Sequence, residues 1–200
     1  MPRHAALIPQ SFYRRPVEAV AADLLGQWLV RDDVTLRITE VEAYGGPEDS
    51  ASHARHGRTP RNGVMWGPGG HAYLYICYGL HWMLNIVTGE SEAPGAVLVR
   101  AAEPVSGLAC ILARRRVPRP NRDLLAGPGR VGQALGLDRA FDGHALFAPG
   151  GLELRKGERP AAIQAGPRIG IDFAREADRV RPWRFLDPAS DSVSRPRPVR

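Results

Sequence analysis

The sequence predicts an α+β fold in one domain, built on several antiparallel strands, and three features carry that reading. Val34, Leu36 and Ile38 alternate with Thr35, Arg37 and Thr39, the period-2 pattern of a strand. Two apolar runs, Ala72 to Tyr78 and Leu80 to Val87, flank Gly79 and read as a β-hairpin. No composition break or internal repeat marks a second domain, and 200 residues with 44% hydrophobic content suit one core.

Taken in order, Pro16 opens an amphipathic helix through Val17, Val20, Ala21, Leu24 and Leu25, stopped at Gly26. The strand begun at Val34 runs on toward Glu42. From Gly45 to Gly70 glycines, prolines and charges follow with no sustained period, and so long an irregular stretch inside a domain is usually functional. After the hairpin, Val97 to Ala102 reads as another strand. Val105 to Arg116 reads as a helix whose last three arginines suit the negative end of its dipole. Pro118 to Asp123 is loop, and Gly127-Pro128-Gly129 opens a short helix through Leu135. Two short strands follow, at Leu152 to Arg155 and Ile163 to Ile171. Pro188 to Arg200 has little apolar content and reads as a flexible C-terminal tail, so the domain is expected to span residues 1–187.

Charge points toward a class of partner. Lys and Arg number 27 against 21 Asp and Glu, a formal charge of +6, and Lys156 is the one lysine among those 27. Arginine forks two phosphate oxygens and stacks on bases, so such a surface suits nucleic acid. An arginine-biased genome explains the Arg/Lys ratio but not the net charge. No apolar run approaches the ~18 residues of a membrane span, and the first ten residues lack the apolar core of an export signal. A cytoplasmic location is expected, nucleoid-associated in a bacterium, with no membrane partner. Cys77 and Cys110 fit no metal spacing and are expected as free thiols, a disulfide being the alternative.

The polar rings are concentrated. Residues 42–82 hold Tyr44, Tyr73, Tyr75 and Tyr78, with His53, His56, His71 and His81. Such side chains offer flat stacking faces with a hydrogen-bonding tip, although any one of them also suits a core. Extending the alternation from Ile38 puts Glu40, Glu42 and Tyr44 on the core face. A carboxylate aimed inward is costly unless partnered or employed, and suits general-base work on a water. A bulge near Thr39 would instead turn Val41 and Ala43 inward and leave both glutamates at the surface. His53 and His56, with Glu48 and Asp49 upstream, match no metal module. Gly67-Pro68-Gly69-Gly70 lacks the Lys-Ser/Thr of a phosphate loop. No metal and no cofactor are expected.

Several ordered motifs together resemble the alkyladenine (3-methyladenine) DNA glycosylase family. They are Glu40-Val41-Glu42-Ala43-Tyr44, Gly46-Pro47-Glu48-Asp49 with His53, Thr59-Pro60-Arg61-Asn62, and Tyr73 to Gly79. Asn85-Ile86, Val97 to Pro104, Gly127 to Arg130 with Gln133-Ala134-Leu135, and Pro167 to Gly170 continue the match, over roughly residues 12–186. The loop at Arg58 to Val64 is one residue short of the family pattern, and His81 stands at an aromatic-leaning position. The resemblance implies a single mixed domain with a curved antiparallel β core, a protruding β-hairpin and surrounding helices. It implies base-excision repair: an alkylated purine, or a deaminated one such as hypoxanthine, is flipped out of duplex DNA and its N-glycosidic bond hydrolysed, leaving an abasic site.

By position, Glu42 would be the base that activates water, with Arg100 helping to hold that water. Tyr44, His53 and Tyr75 would line the pocket, the tyrosines sandwiching the base, and Asn85 would screen purines at the 2-position. Tyr78 would wedge into the duplex. Arg61, Arg130 and Arg168 lie in matching segments and are the expected phosphate-facing arginines. A monofunctional, monomeric enzyme is expected, because a strand-cutting glycosylase typically needs an amine and Lys156 lies outside these motifs. The alternative is a non-catalytic basic domain that binds nucleic acid by stacking bases on the hairpin.

Overall fold

In the computed structural model, which describes residues 5–195, eight strands form one curled antiparallel sheet, a half-barrel with four helices around it. The strands are β1 (Trp28–Arg31), β2 (Val34–Tyr44), β3 (Ala72–Cys77), β4 (His81–Val87), β5 (Ala96–Ser106), β6 (Leu152–Arg155), β7 (Gln164–Gly166) and β8 (Arg184–Leu186). The helices are α1 (Val17–Leu24), α2 (Leu108–Arg115), α3 (Pro128–Leu135) and α4 (Glu176–Arg179). The sheet runs β3-β4-β5-β2-β1-β6, and β8, itself paired with β7, joins β2 beyond the end of β1. No helix among the described residues is long and apolar enough to cross a membrane, and both cysteines are free thiols.

The expected elements form, with three differences. The helix expected from Val105 starts at Leu108, because β5 continues to Ser106. There Gly107, at φ +77°, turns the chain so tightly that a Cβ would lie 2.5 Å from the Asp33 carbonyl oxygen. The strand expected over Ile163 to Ile171 shrinks to Gln164–Gly166, since Pro167 cannot donate to a ladder. The stretch expected as a loose tail from Pro188 is packed as far as Ser194: Ser190, Val193 and Ser194 are all buried, and 196–200 lie outside the described residues.

The central pair, β2 and β5, carries three register shifts, of which the two flanking Glu40 compensate each other. Ile38 pairs with Ala102 and Glu40 with Ala101, so Thr39 is an extra residue on β2; Val41 then pairs with Val99, so Arg100 is an extra residue on β5. A bulge shifts which face a side chain takes. Val34, Leu36 and Ile38 enter the main core before the bulge, and Val41 and Ala43 enter it afterwards. The bulge alternative is therefore the one realised. Glu40 and Glu42 nonetheless do not reach the surface. They sit on the opposite face, fully buried, because β8 and residues 168–194 cover it.

On the core side, α3 packs across β4. Its Gly132 lies so close that a Cβ would stand 2.1 Å from the Trp82 carbonyl oxygen. Backbone cannot yield as a side-chain tip can, so Gly132→Ala must push helix and strand apart. Overpacking of this kind costs about 1–3 kcal/mol. Urea unfolding of Gly132→Ala should show a loss in that range; wild-type stability would mean that α3 slides freely on the sheet.

Candidate active site

One rung of the sheet collects the site. Tyr73 of β3 pairs with Asn85 of β4, Asn85 with Leu98 of β5, Leu98 with Glu42 of β2, and Glu42 with Arg184 of β8. Directly paired residues point to the same face, and Tyr75 and Tyr44, two residues along their strands, join them. The strand geometry alone thus gathers Glu42, Tyr44, Tyr75 and Asn85 on the face opposite the main core.

Glu42 is fully buried and accepts three hydrogen bonds. Arg100 Nη1 donates to Oε2 at 3.0 Å, the Tyr44 hydroxyl to the same oxygen at 2.9 Å, and the Ile169 backbone N–H to Oε1 at 2.7 Å. A carboxylate offers about four acceptor positions, so one lone pair of Oε1 remains. Burial works against the charge of Arg100, but Glu42 and Glu40 beside it outweigh that and hold its pKa above the usual value. Burial, reinforced by Glu42, pushes the Tyr44 phenol well above its ordinary range, so it stays a donor.

Beside this pair opens a cavity of about 460 Å³ lined by Tyr44, His53, Arg61, Tyr73, Tyr75 and Asn85, with Gly170, Ile171 and Phe173 along another wall. Glu42 and Arg100 do not line it; Tyr44 does, and its hydroxyl connects the cavity wall to Glu42. His53 Nδ1 lies 2.8 Å from the Tyr73 hydroxyl, and its ring meets Tyr75 edge-on at 4.6 Å. Burial, with Arg61 and Arg55 nearby, lowers the His53 pKa, so the ring is neutral at pH 7. The Tyr75 hydroxyl is pushed up to about 12 by burial. Asn85 is oriented by its own amide, which donates to the Tyr73 carbonyl at 3.1 Å. Tyr44, Tyr73, Tyr75 and His53 therefore present uncharged rings to the cavity, while Arg55 and Arg61 also line it, the Arg61 guanidinium 5.9 Å from the Tyr75 centroid.

The irregular segment from Gly45 to Gly70 forms much of that wall and is ordered by two buried side chains. Asn62 accepts from Thr59 N–H at 2.6 Å and donates to the His53 and Gly57 carbonyls, both at 2.9 Å. Asp49 receives both guanidinium nitrogens of Arg168, at 2.6 and 2.9 Å. Glu48 accepts from the Gly46 N–H. The acidic residues upstream of His53 are thus committed to folding the loop.

Arg168 corrects an expectation. Its side chain is 0% exposed, donates to the Ala43 carbonyl at 2.9 Å, and stacks 4.9 Å from the Tyr44 ring and 5.2 Å from the Trp183 ring. It faces no solvent and reaches no phosphate; it holds Tyr44 from behind. Arg61 stands exposed at the cavity mouth. Arg130 is half-exposed, with Nη1 donating to the Asp123 and Ala126 carbonyls at 2.8 and 3.0 Å.

At the tip joining β3 to β4, Tyr78 has φ +53° and is 90% exposed, with Ile76 and Leu80 exposed beside it. A bulky residue in the left-handed region is unusual, and a bare aromatic ring there has no role in the fold. Residues not assigned from the sequence also enter the site. Tyr73 lies one strand period from Tyr75, a signal that was available. Arg184 and Ser194, which meet Glu40 behind the site, come from segments with no local signal.

Comparison with known proteins agrees with this geometry. Residues 11–191 match the family model described as methylpurine-DNA glycosylase. The chain is 48% identical over 192 residues to the DNA-3-methyladenine glycosylase of Arabidopsis thaliana, covering 96% of this chain and 75% of that one. It is 55% identical over 188 residues to a protein of Nitrosococcus oceani named "Putative 3-methyladenine DNA glycosylase", covering 94% and 93%. A Methanocella arvoryzae protein of the same name is 44% identical over 196 residues, covering 96% and 98%.

The placement of Arg168 has a measurable consequence. Removing one partner of a buried ion pair strands the other and costs about 3–5 kcal/mol. Arg168→Met should lose stability on that scale in urea unfolding. A phosphate-contacting arginine would instead leave stability intact and flatten the salt dependence of DNA binding.

Proposed function

The chain belongs to the methylpurine-DNA glycosylase family and is a DNA glycosylase, and from that premise we propose that Glu42 drives hydrolysis of a purine flipped into the cavity beside it. The observation that carries this reading is a cavity of about 460 Å³, lined by aromatic rings, whose wall residue Tyr44 donates to a buried Glu42 paired with Arg100. Uncharged rings suit a flat base, contributing roughly 1–3 kcal/mol for each stacked base, and attract the positive charge of an N-alkylated purine.

In the proposed step, the oxygen of a water held by Glu42 and Arg100 bonds to C1′ of the sugar. Glu42 takes the water proton through the free position on Oε1. The C1′–N bond breaks and its electron pair leaves with the base, which becomes neutral if it was a cationic alkylpurine. The carboxylate also stabilises the sugar's developing positive charge. A domain that only stacked bases would have no use for a buried carboxylate beside its pocket.

The enzyme is proposed to leave an abasic site without cutting the strand. Lys156, the one lysine, lines a separate cavity with Ile8, Phe12 and Gln27. Duplex DNA carrying alkylated purines is the proposed substrate. Tyr78 is the proposed wedge, and Arg61 and Arg130 remain the proposed phosphate contacts.

Two measurements test this reading. Glu42→Gln keeps the shape but cannot take a proton, so single-turnover release of an alkylated adenine should fall about 10²–10⁴-fold while lesion binding persists. Retained activity would move the base elsewhere. Tyr78→Ala should weaken binding to a lesion duplex about tenfold, the scale of one lost stacking contact, yet leave binding to a single strand with the same lesion within twofold. Equal losses on both would make Tyr78 an ordinary contact, because a single strand has no intact stack to fill.

A further inference from the structure

Behind the Glu42–Arg100 pair lies a second carboxylate that the proposed reaction does not use. Glu40 is fully buried on the same face of β2. Its Oε1 accepts from Arg184 Nε at 2.7 Å, from Arg100 Nε at 3.2 Å and from the Ser194 hydroxyl at 2.6 Å; its Oε2 accepts from the Ser194 backbone N–H at 2.5 Å. The Ser194 hydroxyl also accepts from Arg100 Nε at 3.2 Å, and the Ser194 carbonyl accepts from Arg184 Nη2 at 2.9 Å. Ser194 thus sits at the junction of one acid and two cations, although it falls where the sequence reads as tail.

We propose that Glu40 and the Ser194 hydroxyl are positioning residues for base excision, which fix Arg100 so that it gives Glu42 one hydrogen bond and not two. The inference rests on the reading of Glu42 as the general base. Arg100 is the unpaired residue of a bulge, so the strand ladder does not settle where its guanidinium lies. A guanidinium beside a carboxylate favours the bidentate fork, two parallel N–H···O bonds. Here that fork would fill both oxygens of Glu42 and remove the lone pair of Oε1 that a water needs. Holding Nε on Glu40 and Ser194 takes that nitrogen out of a side-on fork and fixes the plane of the guanidinium, so that Nη1 alone meets Glu42. Arg184 balances the charge of Glu40, so two acids meet two cations and Arg100 is shared without a net charge left over.

Ser194→Ala isolates the device, because the backbone N–H to Glu40 survives and only the hydroxyl is lost. Misplacing a catalytic group by about 1 Å costs on the order of 10²-fold, and a loosened one less. Single-turnover excision by Ser194→Ala should therefore fall about tenfold while the Kd for a lesion duplex stays within twofold. Ser194→Thr restores a hydroxyl and should recover the rate. Glu40→Gln, checked for folding by circular dichroism, should slow excision at least as much, again with Kd unchanged. A full rate in Ser194→Ala overturns the proposal, as does a loss confined to Kd or one that Ser194→Thr fails to recover. A Glu42→Gln variant that still excises would overturn the general-base reading itself, a separate result.

Discussion

Taking a charged side chain out of water costs several kcal/mol even after the protein relaxes around it, and this fold does so four times in one patch. Glu40, Glu42, Arg100 and Arg184 are all buried on one face of the sheet. The cost is tolerable because each charge faces an opposite one and the remaining donors and acceptors find partners: Ser194 on Glu40, Tyr44 and the Ile169 N–H on Glu42. Those partners arrive from β2, β5, β8 and two segments that cover the sheet. The arrangement forces the chain from Pro167 to Ser194 to lie against β2, and so builds the far wall of the cavity.

The two bulges make that patch compatible with a hydrophobic core. A strand without the extra Thr39 would carry Ile38, Glu40 and Glu42 on one face and bring the carboxylates into the apolar interior. With it, Ile38 and Val41 both face the core while the glutamates turn to the other side. The matching extra residue at Arg100 on β5 restores the register and aims a cation at those same glutamates. One irregularity separates core from site; its complement equips the site.

Legibility followed locality. The hairpin, α1, α3 and β6 were readable because periodicity and their glycine and proline boundaries lie within a few residues. The aromatic cluster was readable for the same reason, since Tyr73 and Tyr75 share a face by strand alternation alone. The face of Glu42 was not decidable, because bulges are set by pairing with a distant strand; both alternatives were half right, the bulge being present and the glutamates still buried. The role of Arg168 is not legible in sequence, because a phosphate-facing arginine and one clamped on Asp49 differ only in what distant segments cover them. Ser194 was invisible, since its polar, proline-flanked surroundings are those of a tail and its partner lies 154 residues away.

The buried quartet and the exposed hairpin tip share a feature: neither is explained by stability. Replacing a buried ionic cluster with well-packed apolar side chains of similar volume is often neutral or favourable by about 1–4 kcal/mol, and Tyr78 stands in a left-handed conformation that most side chains avoid. A sequence shaped only for folding would have little reason to keep either. Tyr75 of β3 lines the cavity, and Tyr78 stands three residues further along, just past the end of that strand; Tyr44, which also lines the cavity, donates to Glu42 of the quartet. In the proposed reading, a duplex engaged by the tip lies within one short strand of the pocket and, through Tyr44, of the carboxylate. The local departures from a stability-driven sequence thus lie at the two ends of one run of side chains, Tyr78 beyond β3 and Glu42 behind Tyr44, and the proposed excision uses both ends.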